Sequence, residues 1–213
     1  MPNVTILEYM TTASFISRQV FLDDPETISQ HMGASYEVPA DELFLLLTTS
    51  ENLAKWFGNV KIDEFVYEIE GNASGRIESC RDNSFLVTWE NAGAISYLSV
   101  EVLADGQAAS TLNAGFSTKP EDIPEEFRQK YGSGATGTGW DLSLWGLQRL
   151  TQGLDPRGFT EQEYADFVAA SSTAWAEADI SAGVAEREAR ARAENTRRFY
   201  MGEQDQTAEG TQN

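Results

Sequence analysis

GSGATGTGWDLSLWGLQRL, residues 132–150, is the stretch on which the fold prediction rests. The spacing of its apolar residues predicts a helix from Trp140 to Leu150. At 3.6 residues per turn, one face of that helix carries Trp140, Leu144, Leu147 and Leu150. Leu142 and Trp145 lie on the opposite face. Because both faces are apolar, we expect protein to pack on both sides of this helix.

A β-sheet is predicted for the chain before the glycine run. Apolar and polar residues alternate in segments such as Phe65–Glu70 and Phe85–Glu90, and Asn, Asp or Gly residues separate these segments. A period of two, interrupted about every 8–12 residues, is typical of an antiparallel meander with one apolar face. A first strand is predicted within residues 27–38, and two short helices follow it before Gly58. We expect the helix after the glycine run to cover the apolar face of the sheet.

The chain after that helix predicts a helical arm. Thr160 and Glu163 have the spacing of a capping box. An apolar stripe follows, formed by Tyr164, Phe167, Val168, Ser171, Trp175 and Ala178. A second helix, rich in alanine and charge, is predicted over residues 184–200. We expect the arm to cover Trp145 within the same chain; the alternative is that a second copy covers it in a symmetric homodimer.

Several motifs and their order resemble the START-like (SRPBCC) superfamily. LTTSENLAKWF at 47–57 is similar to the signature of the branch named after the activator of heat-shock protein 90 ATPase. EGNASGRIESC at 70–80, VTWE at 87–90 and GTGWDL at 137–142 resemble the same branch. Residues 170–175 and FYMGE at 199–203 resemble a bacterial subgroup that carries a helical C-terminal extension. The likeness covers roughly residues 27–203.

The resemblance implies an α+β helix-grip fold, in which a curved antiparallel sheet wraps around a long C-terminal helix, followed by the helical arm. It divides the chain into a lead-in segment at 1–26, a START-like helix-grip domain at 27–153, a helical extension packed on that domain at 154–202, and a tail at 203–213. We expect the tail to be disordered because it has almost no apolar residues.

Composition and charge exclude several classes of function. The chain has 34 acidic and 15 basic residues and a net charge of -19, which disfavours binding to nucleic acid or to anionic membranes. With one cysteine, Cys80, and one histidine, His31, it can form neither an internal disulfide nor a multi-histidine zinc site, and we predict no metal or other cofactor. No apolar run approaches the roughly 20 residues of a membrane span. Because the N-terminus also lacks the pattern of a secretory signal, we expect a cytoplasmic protein.

The resemblance further implies a cavity between the sheet and the long helix. Its expected lining is the inward-facing set Trp56, Tyr67, Trp89, Leu98, Trp140, Leu144 and Leu147, with Trp56 near an entrance. An apolar cavity edged by a few polar groups would bind a small hydrophobic molecule. The alternative is that these side chains fill a solid core, and the sequence leaves both open because the two cases share one periodicity.

Other side chains could carry chemistry, and each also has a plainer interpretation. His31 is a candidate general base, but its position favours a surface or strand-edge histidine. Cys80 is a candidate nucleophile, but the strand prediction favours a small buried residue. Glu68, Glu70 and Glu78 could pair as catalytic carboxylates or bind a divalent cation weakly, but a chain this acidic is expected to have a solvated acidic face.

The glycine run could suggest a phosphate-binding loop. It lacks the Gly-Lys-Ser/Thr ending of a P-loop, and no strand immediately precedes it as a dinucleotide fold requires. We therefore expect residues 132–139 to form a flexible entry to the long helix that could act as a gate over the cavity. Asp141 would then stabilise the first helical turn through the helix dipole.

Three functions are compatible with this sequence. The first is a START-like domain that binds a small hydrophobic ligand and has no assigned catalysis. The second is a co-chaperone-like protein-interaction module, and the third is an enzyme of the cyclase or hydrolase type. We rank binding first because one histidine and one cysteine make convergent catalytic machinery hard to assemble.

Overall fold

The computed structural model describes residues 13–22, 24 and 26–203. The strands are β1 (Ile16–Phe21), β2 (Ile28–Tyr36), β3 (Val60–Ile62), β4 (Val66–Ile69), β5 (Ser74–Arg81), β6 (Ser84–Asn91), β7 (Ala94–Ala104) and β8 (Ser110–Thr118). The helices are α1 (Ala40–Thr48), α2 (Ser50–Trp56), α3 (Glu125–Tyr131), α4 (Gly134–Thr151), α5 (Glu161–Ser181) and α6 (Glu186–Tyr200). Expectations for residues 1–12 and for most of the tail lie outside the described residues. No helix within the described ranges is long and apolar enough to cross a bilayer.

The strands of the described chain form one eight-stranded antiparallel sheet in the order β1-β2-β8-β7-β6-β5-β4-β3. From β3 to β8 each strand pairs with the next, which confirms the predicted meander. The first two strands extend the sheet at its other end, because β2 pairs with β8 and β1 pairs with β2. The α+β helix-grip fold, with a curved sheet around a long C-terminal helix, is confirmed.

The inner face of the sheet is apolar because alternate residues of each strand point toward it. Val100 pairs with Ala114, and Ala114 pairs with Met32, so these three residues form one row across the sheet. Leu98 and Phe116 belong to the next inward row. All five are buried, and together they form much of the floor on which α4 lies.

Residues 16–21 form an edge strand, whereas the sequence indicated only a lead-in segment that packs on the domain. The inward positions of β1 are Ile16, Arg18 and Val20, and all three side chains are buried. The arginine in the middle of this set interrupts the apolar alternation. The strand therefore lacked the period-two signal by which the meander was predicted.

The glycine run is helical from Gly134 onward, which corrects the prediction of a flexible entry and gate. A Cβ atom added to Gly137 would lie 2.2 Å from the indole ring of Trp175 on α5. A Cβ atom on Gly134 would lie 2.5 Å from the hydroxyl oxygen of Thr196 on α6. Glycine costs about 1 kcal/mol relative to alanine inside a helix. In α4 these glycines let the helices of the arm approach closely, and that packing outweighs the low helix propensity of glycine.

The arm covers the outward face of α4, as predicted. The ring of Trp145 is sandwiched between those of Phe159 and Phe167, with centroid distances of 4.2 and 4.3 Å. The interplanar angles of 21° and 4° make both contacts stacked. α5 begins with the predicted capping box, in which Thr160 and Glu163 each accept a hydrogen bond from the other's backbone N–H.

A buried ion pair joins β1, α4 and α5. Arg18 Nε donates to Asp141 Oδ2 at 2.7 Å, and the two side chains are 6% and 0% exposed. The same carboxylate oxygen accepts hydrogen bonds from Ser171 Oγ and from Trp175 Nε1. Burial raises the pKa of Asp141, against the opposing effect of Arg18. The prediction that Asp141 lies in the first helical turn is wrong, because α4 begins earlier, at Gly134.

Candidate ligand cavity

A cavity of about 190 Å³ lies between the inner face of the sheet and α4. We call it the inner cavity, and nearly all atoms that line it are apolar. Its lining comprises Met32, Leu47, Thr48, Leu53, Trp56, Phe57, Val60, Ile62, Tyr67, Ile69, Ile77, Cys80, Phe85, Val87, Trp89, Leu98, Val100, Leu112, Ala114, Trp140, Ser143 and Leu144. An apolar protein cavity of about 150 Å³ stays dry and binds benzene. The inner cavity therefore has room for one aromatic ring or a short alkyl group.

Six of the seven residues expected to line a pocket do line this cavity: Trp56, Tyr67, Trp89, Leu98, Trp140 and Leu144. Leu147 does not, because it is completely buried in the core. It lies on the same helical face as Leu144, and helical spacing alone does not show where along that face the space ends. That these residues bind a ligand stays a prediction.

Sequence reasoning missed the cavity wall contributed by the α1–α2 region and by β3. Leu47, Phe57, Val60 and Ile62 are part of this wall. Their apolar character was visible, but contact with α4 requires the chain to turn back after α2, which no local pattern specifies. Two further lining residues, Phe85 and Val87, could have been predicted from the sequence, because they alternate on the same face as Trp89.

Three aromatic rings stand together at one end of the inner cavity, and we call them the aromatic partition: Trp89, Phe116 and Trp140. The ring centroids of Trp89 and Trp140 are 5.1 Å apart in an edge-to-face arrangement, and those of Phe116 and Trp140 are 5.6 Å apart. Phe57 lies parallel to Trp140 on another side, at 6.5 Å. Aromatic contacts of this kind contribute more stability than their buried area alone, so the three rings form an ordered wall at this end of the cavity.

The hydroxyl groups in the lining are already hydrogen-bonded within the protein. Tyr67, Thr48 and Ser143 donate to backbone carbonyl oxygens at 2.7, 2.7 and 3.1 Å. Burial, together with the negative charge of Glu90, raises the pKa of Tyr67 to about 12. Tyr67 therefore stays protonated at neutral pH, and its proton is held by a carbonyl group. These groups edge the cavity without forming a convergent catalytic set.

The other candidate side chains lie elsewhere or are differently placed than expected. His31 is exposed on β2, with its ring edge-to-face to Phe21 at 5.0 Å, and it does not line the inner cavity. Cys80 is exposed at the edge of the cavity, which corrects the prediction of a buried residue. The reason is its position near the end of β5, where it pairs with Phe85 close to the turn into β6.

The three candidate carboxylates each have a partner of their own. Glu68 lies 4.0 Å from Lys61 Nζ, Glu70 accepts a hydrogen bond from Asn59 at 2.8 Å, and Glu78 lies 3.3 Å from Arg76 Nε. All three contacts are at the surface. Among the residues that the structure describes, no three acidic, histidine or cysteine side chains are grouped as a metal site would require.

The fold is similar to those of solved proteins. CalU16 from Micromonospora echinospora superposes with a TM-score of 0.60 and 22% identity over 76% of this chain and 97% of CalU16, and its solution structure gives 0.61 and 20% over 79% and 97%. EF2215 from Enterococcus faecalis, a conserved protein of unknown function, gives 0.58 and 14% over 78% of this chain and 92% of EF2215. At these identities the likeness shows the fold alone.

More distant structural matches include an HSP90 activator from Plasmodium falciparum and a START superfamily protein from Mycobacterium smegmatis. Their TM-scores of 0.40 and 0.46 are too low to carry an argument about function. No protein-family model matches the sequence, and no curated protein matches it at a significant level. Because one fold can carry many functions, the shared fold does not specify the function of this chain.

Proposed function

We propose that this protein is a START-like domain that binds a small hydrophobic molecule in the inner cavity and does not act on it chemically. The observation that carries this proposal is a space of about 190 Å³ with an apolar lining whose hydroxyl groups are bonded to the backbone. A ligand that leaves water for such a space gains roughly 25 cal/mol per Å² of apolar surface buried.

The superfamily assignment is part of this proposal, including the branch named after the activator of heat-shock protein 90 ATPase and the bacterial subgroup with a helical extension. The motifs at 47–57, 70–80 and 137–142 support it, as does the shared fold with CalU16. The domain boundaries at 27–153 and 154–202 belong to the same proposal. Cytoplasmic location, homodimer formation and the absence of nucleic-acid, membrane or cofactor binding stay predictions.

Enlarging a side chain in the cavity wall should weaken ligand binding while the protein still folds. We expect Ala114→Leu to weaken the affinity for toluene, an apolar probe with one ring, at least about tenfold, because the added carbon atoms occupy the ligand's space. The matched control is Ala104→Leu, the same change at an exposed position near the end of β7. Calorimetric titration measures both affinities, and thermal unfolding checks that both variants fold.

The proposal is wrong if the wild-type protein neither binds the probe nor co-purifies with an apolar molecule in native mass spectrometry. Equal loss of affinity in both variants would also contradict it, because the binding surface would then lie outside the cavity. The catalytic alternative would require turnover that depends on the cavity. Tyr67 offers it little support, since its hydroxyl proton is held by the carbonyl group of Thr88.

A further inference from the structure

A second hollow lies beyond the aromatic partition. It has a volume of about 700 Å³, it is open to solvent on one side, and it is bordered by the sheet, by α3 and by the turn between α5 and α6. We call it the outer cleft. Its lining includes the apolar residues Ile28, Phe116, Ile123, Phe127 and Val184. It also includes the polar and charged residues Ser96, Asp122, Arg128, Asp179, Glu188 and Arg192.

The inner cavity and the outer cleft both lie along α4 and along the inner face of the sheet. Along α4, the N-cap residue Ser133 and Thr136 line the outer cleft, Trp140 belongs to the partition, and Leu144 lines the inner cavity. Residues with this spacing share one face of a helix. The sheet contributes in the same order, because Phe116 lines the outer cleft and the neighbouring inward position Ala114 lines the inner cavity.

Trp89 is the side chain that the two spaces share, since it lines both of them. Its ring contacts Trp140 and Phe116 at centroid distances of 5.1 and 6.4 Å, and its indole group is not fully buried. A change in the orientation of this one ring would therefore connect the apolar space with the cleft. The other two rings of the partition need not leave their places for that connection.

The outer cleft suits a polar group that donates hydrogen bonds. Asp179 is 3% exposed, and the backbone N–H of Ser133 reaches its Oδ2 atom at a long 3.5 Å. The side chain of Ser133 and the charge of Arg192 also act on this carboxylate. Arg192 is already engaged, because its Nε atom donates to the carbonyl group of Gln129 and its Nη2 atom pairs with Glu188 at 2.7 Å. Arg128 donates to a backbone carbonyl group as well. A carboxylate ligand would therefore meet acidic side chains and arginines that have partners.

We propose that the inner cavity and the outer cleft form one elongated site for an amphipathic molecule. Its apolar part would lie in the inner cavity, its chain would pass Trp89, and its polar end, an alcohol or an amine, would reach Asp179. This inference rests on the proposed function, and it adds the class of ligand. It also predicts that ligand length, and not only apolar character, sets the affinity.

The test is calorimetric titration of the 213-residue chain with 1-alkanols, 1-alkylamines and fatty acids of hexyl, octyl and decyl length. We expect the affinity for alcohols and amines to rise about fourfold per added methylene up to decyl, and fatty acids to bind more weakly than amines of equal length. Trp89→Phe should increase the ratio of decyl to hexyl affinity, because a smaller ring opens the passage. The control is Trp145→Phe, the same substitution on the face of α4 that points away from the sheet. It should leave that ratio unchanged.

Asp179→Asn tests the polar end of the site. We expect it to weaken decylamine about tenfold and hexylamine little, because a charge-assisted hydrogen bond is lost only where the chain reaches the cleft. Affinity that levels off at hexyl length in both the wild type and Trp89→Phe would overturn the elongated site while leaving the proposed function intact. Failure of every chain length, and of toluene, would overturn both.

Discussion

Replacing Asp141 with asparagine is expected to lower the free energy of unfolding by about 3–5 kcal/mol, because it leaves the guanidinium group of Arg18 buried without a counter-charge. In a chain of this size, that loss corresponds to a decrease in melting temperature of roughly 6–20 °C. Asparagine has nearly the same shape, so the effect reports the charge and not a cavity. Chemical denaturation followed by circular dichroism measures it.

The control is Lys61→Met, which removes an exposed pair with Glu68 at 4.0 Å. It should change the stability by less than about 0.5 kcal/mol. The double variant Arg18→Met with Asp141→Asn should recover part of the loss, because no charge is then left buried. If Asp141→Asn is as stable as the wild type, or the double variant is less stable than the single one, the ion pair does not join β1 to α4 as described.

Replacing Gly137 with alanine is expected to be the second most damaging change. Its Cβ atom would lie 2.2 Å from the indole ring of Trp175, so α4 and α5 would have to move apart. Overpacking of this kind costs about 1–3 kcal/mol and sometimes more, and the gain in helix propensity returns only about 1 kcal/mol. We expect a net loss of about 1–2 kcal/mol in chemical denaturation, with a change in the near-ultraviolet circular dichroism of the tryptophans.

Gly58→Ala is the matched control for this prediction. A Cβ atom at Gly58 would meet nothing within 4 Å, and its φ angle is not in the left-handed region. The variant should be neutral or slightly more stable, because alanine restricts the unfolded chain. A wild-type-like unfolding midpoint for Gly137→Ala would show that the two helices are not in close contact at this position.

Local patterns were sufficient to predict the parts of the fold with strong periodicity. The alternation in β6 and β7 predicted the sheet, and the two apolar faces around Trp145 predicted a layer on each side of α4. The spacing of Thr160 and Glu163 located the start of α5. In each case the residues that carry the signal are also the residues that make the contact.

The features that were missed depend on contacts between distant parts of the chain. Residues 134–139 look like a loop, because glycine disfavours a helix unless a partner helix needs the space. β1 was missed because Arg18 occupies an inward position, and its partner Asp141 is 123 residues away. For the candidate site, the family resemblance implied the cavity and its inward-facing lining, of which six residues do line it. Neither the resemblance nor the periodicity gave the extent of the cavity, and so Leu147 was included as well.

The dense contact between α4 and the arm couples the unfolding of these two parts of the protein. Trp175, which fills the space above Gly137, is also a hydrogen-bond donor to Asp141, so a chain truncated after residue 153 would lose both at once. The remaining part would expose the ring of Trp145 and leave the carboxylate with fewer donors. Sheet, central helix and arm should therefore melt in a single cooperative transition, as a folding unit from which the extension cannot be detached.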